Sequence, residues 1–155
     1  MNKALIRDAI LTQLRAELEQ QTAAALLARD EAISEESRPE NQYDMHSQEA
    51  AYLAEGQAKL ANEISQNIAQ YAALPVPDLP EQAAIAIGAL VEIEGGGPLY
   101  FVGPRAGGLD VNVDGREVLV ITPQSPLGRE LMGKHAGDSF RLPGRGAPQR
   151  ILSVS

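Results

Sequence analysis

The first 74 residues carry apolar side chains at helical spacing in two long stretches. In a strict heptad frame, seven of nine a and d positions of the first stretch are apolar; the nine are Ala4, Arg7, Leu11, Leu14, Leu18, Gln21, Ala25, Ala28 and Ala32. Six of nine are apolar in the second stretch, at Tyr43, His46, Ala50, Leu53, Gln57, Leu60, Ile64, Asn67 and Tyr71. Two such stripes, joined by a short polar break, bury themselves best against each other. The pattern therefore predicts an antiparallel two-helix coiled-coil hairpin.

The break between the stripes has the chemistry of a helix start. Ser37-Arg38-Pro39-Glu40 fits an S-x-x-E capping box, with proline in the first turn of the second helix. We expect the Ser37 side chain to accept from the Glu40 backbone N–H, and the Glu40 carboxylate to accept from the Ser37 N–H. Pairing about residues 37–38 sets Leu11 near Ile64, Leu14 near Leu60 and Ala25 near Ala50. Each arm of roughly 30 residues would be about 45 Å long.

The second half of the chain alternates apolar and polar residues as strands do. The predicted strands are Ile85–Glu94, Pro98–Gly103, Leu109–Val113, Arg116–Thr122, Asp138–Pro143 and Gln149–Val154. Asp114-Gly115, between the third and fourth, is a type I′ hairpin signal. A short helix is predicted over Ser125–Lys134, with a Ser cap, a Pro at the first position and Gly133 at its end. The chain is therefore predicted to be an α+β protein with a sheet of five or six strands.

The composition changes sharply near residue 74. One Pro and one Gly precede it, whereas nine Pro and thirteen Gly follow. Pro75, Pro77 and Pro80 cannot continue a helix. The predicted domains are a hairpin over residues 1–74 with an acidic tip at 34–40, a Pro-rich linker at 75–84, and a β-rich domain at 85–155.

Charge and composition exclude several classes of function. The chain has no Cys, which excludes disulfides and thiol chemistry. It has no apolar run near the ~20 residues that span a bilayer, and its first residues lack the apolar core of a signal peptide, so a cytoplasmic protein is expected. The net charge is -8, and no Lys/Arg stripe is present, so sequence-specific DNA binding is not expected. The acidic hairpin suits a basic protein surface or a divalent cation.

Three features together resemble the bacterial Gre transcript-cleavage factors. The first is the long hairpin with an acidic tip. The second is Pro39–Tyr43 (PENQY) followed by Ala51–Gly56 (AYLAEG), similar to the family's E-N-x-x-Y and (F/Y)-x-E-G segment. The third is Ile121–Phe140, similar to the family's S-P-x-x-x-x-L-x-G-K-x-x-G-D signature, which is carried here by Ser125, Pro126, Leu131, Gly133, Lys134, Gly137 and Asp138. The resemblance covers nearly the whole chain.

The resemblance implies a specific mode of action. The C-terminal domain would have an FKBP-like fold and dock at the rim of the RNA polymerase secondary channel, with Ser125 and Pro126 near the docking surface. The hairpin would enter the channel, where acidic tip residues help to hold the Mg²⁺ of the polymerase active site for cleavage of the backtracked transcript. Contact with nascent RNA would be indirect. We expect a monomer with no intrinsic metal or cofactor and no catalysis of its own.

The tip departs from the family pattern at one position. The family carries an Asp followed by a Glu three residues later; Glu40 matches the Glu, whereas Ser37 stands at the Asp position. Glu35 and Glu36, expected on the loop before the cap, are candidates for the missing carboxylate. Two mechanisms therefore stay open: a cleavage cofactor that uses Glu40 with Glu35 or Glu36, and a non-cleaving regulator that competes for the channel.

Two further classes of function stay open beside the Gre-like one. One is a prolyl-isomerase-like or chaperone domain with a helical arm, although such a site normally needs an aromatic-lined pocket and the second domain has only Tyr100, Phe101 and Phe140. The other is a structural adaptor whose hairpin pairs with another coiled coil.

Overall fold

The chain folds as two long helices followed by a mixed sheet with one short helix. This computed structural model describes residues 1–36, 45–142, 144 and 146–155, with the backbone alone described at residues 32, 34–36, 45–47 and 50. In chain order the elements are α1 (Lys3–Glu36), α2 (Met45–Ala73), β1 (Leu90–Ile93), β2 (Leu99–Val102), β3 (Asp110–Val113), β4 (Arg116–Ile121), α3 (Pro126–Leu131), β5 (Ser139–Phe140) and β6 (Gln149–Val154). The predicted α+β fold class, a helical hairpin followed by a β-rich part with one short helix, is confirmed.

By its internal contacts the chain divides into two compact units. One comprises Met1–Thr12 with Ala69–Ser155, and the other is Gln13–Ile68. The first unit therefore contains the start of α1 and the end of α2 together with the sheet. This division differs from the predicted limits, which assign all of residues 1–74 to the hairpin. Within the described residues, no helix has the length and apolar content needed to cross a membrane.

The heptad frame predicted for α1 matches the burial at its own positions, although Lys3, Ile6 and Ile10 outside the frame are also buried. Its described positions from Ala4 to Ala28 are buried or half-buried, and Leu11, Leu14 and Ala28 are the most buried of them. These residues recur every three or four positions, so they form one stripe along the helix. The side chain of Asn2 begins the helix, because its Oδ1 accepts from the backbone N–H of Ala4 at 2.9 Å.

The frame predicted for α2 is wrong at two of its described positions, Leu53 and Leu60. Leu53 and Leu60 are 54% and 45% exposed, whereas Ala54 and Ala61 are half-buried. A second heptad frame with the same spacing explains the burial, and it runs through Ala54, Gln57, Ala61, Ile64, Ile68 and Tyr71. The two frames share three residues, and the second places alanines where the first places leucines. Small residues at these positions allow a helix to approach its neighbour closely.

The helix ends also correct the predicted register. The guanidinium Nη1 of Arg7 donates to the carbonyl of Leu74 at 3.1 Å, whereas pairing about residues 37–38 would set Arg7 opposite Ile68. Because α1 ends at Glu36 and α2 begins at Met45, the midpoint between the helix ends falls between residues 40 and 41. The backbone of Glu35 and Glu36 lies in the last turn of α1 and not in a loop. The predicted capping box at Ser37–Glu40 lies outside the described residues.

Two glutamines place polar atoms in the buried stripes of the distal unit. The Oε1 atoms of Gln21 and Gln57 are buried and have no hydrogen-bond partner in the described part of the chain. A buried unpaired carbonyl typically lowers the free energy of unfolding by about 1–3 kcal/mol. A polar layer in a coiled coil fixes register at the expense of stability. These residues therefore weaken the distal unit and restrict the alignments it can adopt.

The six strands form one sheet in the order β3-β4-β2-β1-β6-β5. Strands β2 and β4 are parallel, and the other neighbours are antiparallel. Asp114 and Gly115 have φ angles of 52° and 76°, as the two central residues of a type I′ turn require, so the predicted β3–β4 hairpin is confirmed. The first strand begins at Leu90 and not at Ile85, because the chain turns at Gly88, where φ is 92° and the N–H donates to the Val102 carbonyl.

One hydrophobic cluster of the first unit lies between this sheet and α3. It is made of aliphatic residues with one aromatic ring, and its buried members are Ile85, Ala89, Val91, Ile93, Val102, Ile121, Leu131, Phe140, Ile151 and Val154. Strands with both faces partly covered place apolar residues on consecutive positions, as in Leu90-Val91 and Val120-Ile121. This packing fixes α3 against the sheet.

Buried polar side chains tie the two helix ends to loops that flank the sheet. Tyr71 is fully buried, and its hydroxyl donates to the Arg105 carbonyl at 2.6 Å. Burial raises the pKa of the Tyr71 phenol, so it stays a neutral donor. Lys3 is only 3% exposed, and its Nζ donates to the Gly88 carbonyl at 3.1 Å. Burial lowers the pKa of Lys3, and the Asp78 carboxylate opposes this shift.

The Tyr71 phenol occupies the space that a side chain at Gly103 would need, since an added Cβ there would overlap its hydroxyl and approach Val120. We predict that Tyr71→Phe lowers the free energy of unfolding by about 1 kcal/mol, the value of one hydrogen bond. Gly103→Ala should lower the free energy of unfolding by about 2–3 kcal/mol, because the added methyl group has no free space. In the double variant the loss should be smaller than the sum, because removal of the hydroxyl relieves the overlap. Urea unfolding of the four proteins measures this coupling, and additive losses would contradict it.

Candidate functional site

The family-like signature begins at the N-terminus of α3. The Ser125 hydroxyl accepts from the backbone N–H of Gly128 at 3.1 Å and donates to the Thr122 carbonyl at 2.7 Å. Pro126 stands at the first helical position, where a missing N–H costs nothing. The predicted cap is therefore confirmed, although the helix ends at Leu131, three residues before the predicted end. This arrangement fixes the direction in which α3 leaves β4.

The rest of the signature attaches α3 to the sheet. Leu131 is fully buried in the core. The Gly133 N–H donates to the Ile85 carbonyl at 2.9 Å, and the Ile85 N–H donates to the Lys134 carbonyl at 2.8 Å. Gly133 has a φ of 79°, a conformation that favours glycine. These signature residues therefore have structural roles.

The last two signature positions close the turn before β5. The Gly137 N–H donates to the Ile151 carbonyl at 2.8 Å, and the Ile151 N–H donates to the Asp138 carbonyl at 2.8 Å. The Asp138 Oδ2 accepts from the His135 backbone N–H at 2.8 Å and lies 3.6 Å from the His135 Nδ1. Asp138 is thus a turn residue, and both of its side-chain partners are local.

An apolar groove lies beside the start of α3, and we call it the α3 groove. Its volume is about 550 Å³, and its lining residues are Gly107, Gly108, Leu119, Val120, Ile121, Thr122, Ser125, Pro126, Leu127 and Leu142. The two predicted docking residues, Ser125 and Pro126, thus both line one concave apolar surface. A groove of this size accepts one or two side chains of another protein. No aromatic residue is among its lining residues, all of which lie in the described part of the chain.

Sequence reasoning missed most of the groove. Leu119, Leu127 and Leu142 come from a strand, a helix and a loop, and no periodic pattern connects them. The role of Gly128 was also missed, because it occupies an unspecified position of the signature. An added Cβ at Gly128 would overlap the Thr122 carbonyl oxygen. A glycine in the first turn of a predicted helix was the only local signal of this constraint.

The predicted tip residues are described only in part. The backbone of Glu35 and Glu36 lies in the last turn of α1, and that turn contains no basic residue. Ser37 and Glu40 lie outside the described residues. Among the residues that the structure describes, no three His, Asp or Glu side chains come together as a metal site would need.

Neither a family model nor a curated protein matches the chain. Similar solved structures include GreA factor homolog 1 (Gfh1) of Thermus thermophilus, which is 17% identical with 94% of each chain covered and a TM-score of 0.35. A structure of the transcription factor Gfh1 is 18% identical, covers 94% of this chain and 93% of that one, and has a TM-score of 0.38. Gfh1 of Thermus aquaticus is 20% identical, with 92% of each chain covered and a TM-score of 0.35. Likeness at this level assigns no function.

The close approach of Gly128 to Thr122 generates a test of how α3 is positioned. We predict that Gly128→Ala lowers the free energy of unfolding by about 2 kcal/mol, because the new methyl group would push α3 from the Thr122 carbonyl. Gly97→Ala is the matched control, since nothing lies within 4 Å of an added Cβ at Gly97 and the change should cost under about 0.5 kcal/mol. Thermal unfolding followed by circular dichroism measures both. Equal losses in the two variants would contradict the assigned role of Gly128.

Proposed function

We propose that this chain is a Gre-type transcription factor that binds RNA polymerase, with the α3 groove as its docking surface and the hairpin tip as the part that enters the secondary channel. The observation that carries the proposal is the Ile121–Phe140 signature, whose seven matched residues form one connected structural unit. Four of them, at Leu131, Gly133, Gly137 and Asp138, maintain the fold. Ser125 and Pro126 line the α3 groove.

The α3 groove supports the docking role by its chemistry. Its apolar surface is open beside the Ser125 cap, and Leu119, Leu127 and Leu142 supply large aliphatic contacts. Exposed concave apolar surfaces of this kind commonly bind a protein partner. The absence of aromatic side chains from the lining gives no support to the prolyl-isomerase alternative, which expects an aromatic-lined pocket.

The hairpin supports the channel role by its length and charge. Helix α1 has 34 residues and α2 has 29, which correspond to about 51 Å and 44 Å at 1.5 Å per residue. The backbone of α1 ends on Glu35 and Glu36, where the negative end of the helix dipole also lies. This end of the helix therefore favours a cation or a basic protein surface.

Binding through the α3 groove is tested with one groove variant and one matched control. We expect Leu119→Glu to weaken binding to RNA polymerase by about tenfold or more, because a carboxylate would enter an apolar contact. Leu152→Glu should bind like the wild type, since Leu152 is a strand residue that is 51% exposed and outside the groove. Competition with a fluorescent Gre factor for purified polymerase measures both affinities. Failure of the wild type to compete would refute the proposed function.

For the mechanism we propose the non-cleaving mode, since Ser37 stands where the family has an Asp and a hydroxyl is a poor Mg²⁺ ligand beside carboxylates. The wild type should therefore leave the cleavage rate of stalled transcription complexes close to the factor-free rate. Ser37→Asp should raise it by about tenfold or more, equal to about 1.4 kcal/mol of barrier. Adding Glu40→Gln to Ser37→Asp should remove the gain. Efficient cleavage by the wild type would instead support the cofactor mechanism with Glu35 or Glu36.

A further inference from the structure

The distal hairpin unit, Gln13–Ile68, leaves an apolar groove between its two helices uncovered. We call it the hairpin groove; its volume is about 390 Å³, and its lining residues are Thr22, Ala25, Leu26, Arg29, Ala54, Glu55, Ala58 and Ala61. Leu26 is 54% exposed beside it, and Ile33, one heptad further along α1, is 52% exposed. An exposed apolar groove flanked by exposed large apolar side chains is a candidate contact with another protein.

The two sides of the hairpin groove differ in side-chain size. The one large apolar residue of the lining, Leu26, comes from α1 together with Thr22 and Ala25, whereas the apolar residues from α2 are Ala54, Ala58 and Ala61. A surface with large residues on one side and small residues on the other complements itself when one copy is rotated by 180° about an axis parallel to the helices. In that arrangement α1 of each copy lies over α2 of the other, so Leu26 packs on Ala54 and Ala58 of the second copy.

Two charged residues of the groove lining fit the same arrangement. Arg29 lines the groove from α1 and Glu55 lines it from α2, and both side chains are exposed. Neither has an ion-pair partner among the described residues. When α1 of one copy lies over α2 of the other, each Arg29 meets the Glu55 of the second copy, which gives two charge pairs. The reversed alignment would place α1 over α1 and leave these charges without complementary partners.

We propose that this chain self-associates through the hairpin groove, with two copies side by side and their hairpins pointing in the same direction. The occupant of the groove is a second copy of the chain, because the size asymmetry and the positions of Arg29 and Glu55 are both self-complementary. This departs from the monomer expected from the sequence, in which Leu26 lies outside the heptad frame and signals no contact. The inference does not depend on polymerase binding.

Sedimentation equilibrium of the full chain over a wide concentration range tests the association. The average mass should rise from 16.5 kDa toward twice that value. Leu26→Gln should weaken the dimer by about tenfold or more, because the side chain occurs twice in the interface. Leu27→Gln is the matched control and should have no effect, since Leu27 is 72% exposed and does not line the groove. A constant monomer mass, or an equal effect of both variants, would overturn the proposal.

A charge exchange tests the alignment of the two copies. Arg29→Glu and Glu55→Arg should each weaken the dimer several-fold by placing like charges opposite each other. The double variant Arg29→Glu/Glu55→Arg should return the dissociation constant close to the wild-type value, because the charges are complementary again. Circular dichroism checks that each variant keeps its helix content. Additive weakening in the double variant would refute the parallel arrangement.

Discussion

The burial of Tyr71 over Gly103 is the constraint on which the first unit depends. The phenol fills the space of a missing side chain, and its hydroxyl donates to the Arg105 carbonyl at 2.6 Å. A ring in this position holds the end of α2 on the sheet, and the Arg7 bond to Leu74 then fixes the start of α1 beside it. The first turns of α1 and the last turn of α2 therefore belong with the sheet, although by sequence they continue the hairpin.

Local chemistry made several elements predictable. The Asp114-Gly115 turn and the Ser125 cap depend only on neighbouring residues, and each forms as its sequence requires. The stripe of α1 that faces α2 was also predictable, whereas the burial of Ile6 and Ile10 lies outside the predicted frame. For α2 two frames share Gln57, Ile64 and Tyr71, and the sequence favours Leu53 and Leu60 while the packing selects Ala54 and Ala61. Which frame is buried depends on how closely a helix can approach its neighbour, and a count of apolar positions does not show this.

The candidate site was predictable only where it coincides with the signature. Ser125 and Pro126 were identified because they belong to the family-like signature, and they do line a groove. Leu119 and Leu142 join them through the topology of the sheet, which brings together segments more than twenty residues apart. Gly128 has a further constraint, the nearby Thr122 carbonyl, that arises from the path of the chain between β4 and α3. Contacts that depend on the path of the chain leave no periodic trace in a sequence.

The two proposed uses of the hairpin are linked by mass action. A hairpin paired side by side with a second copy is about twice as wide as a single one, so a channel wide enough for one hairpin only would exclude the pair. Polymerase would therefore bind only the monomer, and each binding event would shift the dimer toward dissociation. The dimer would then dissociate and supply monomer as polymerase binds it, to an extent set by the concentration of the protein.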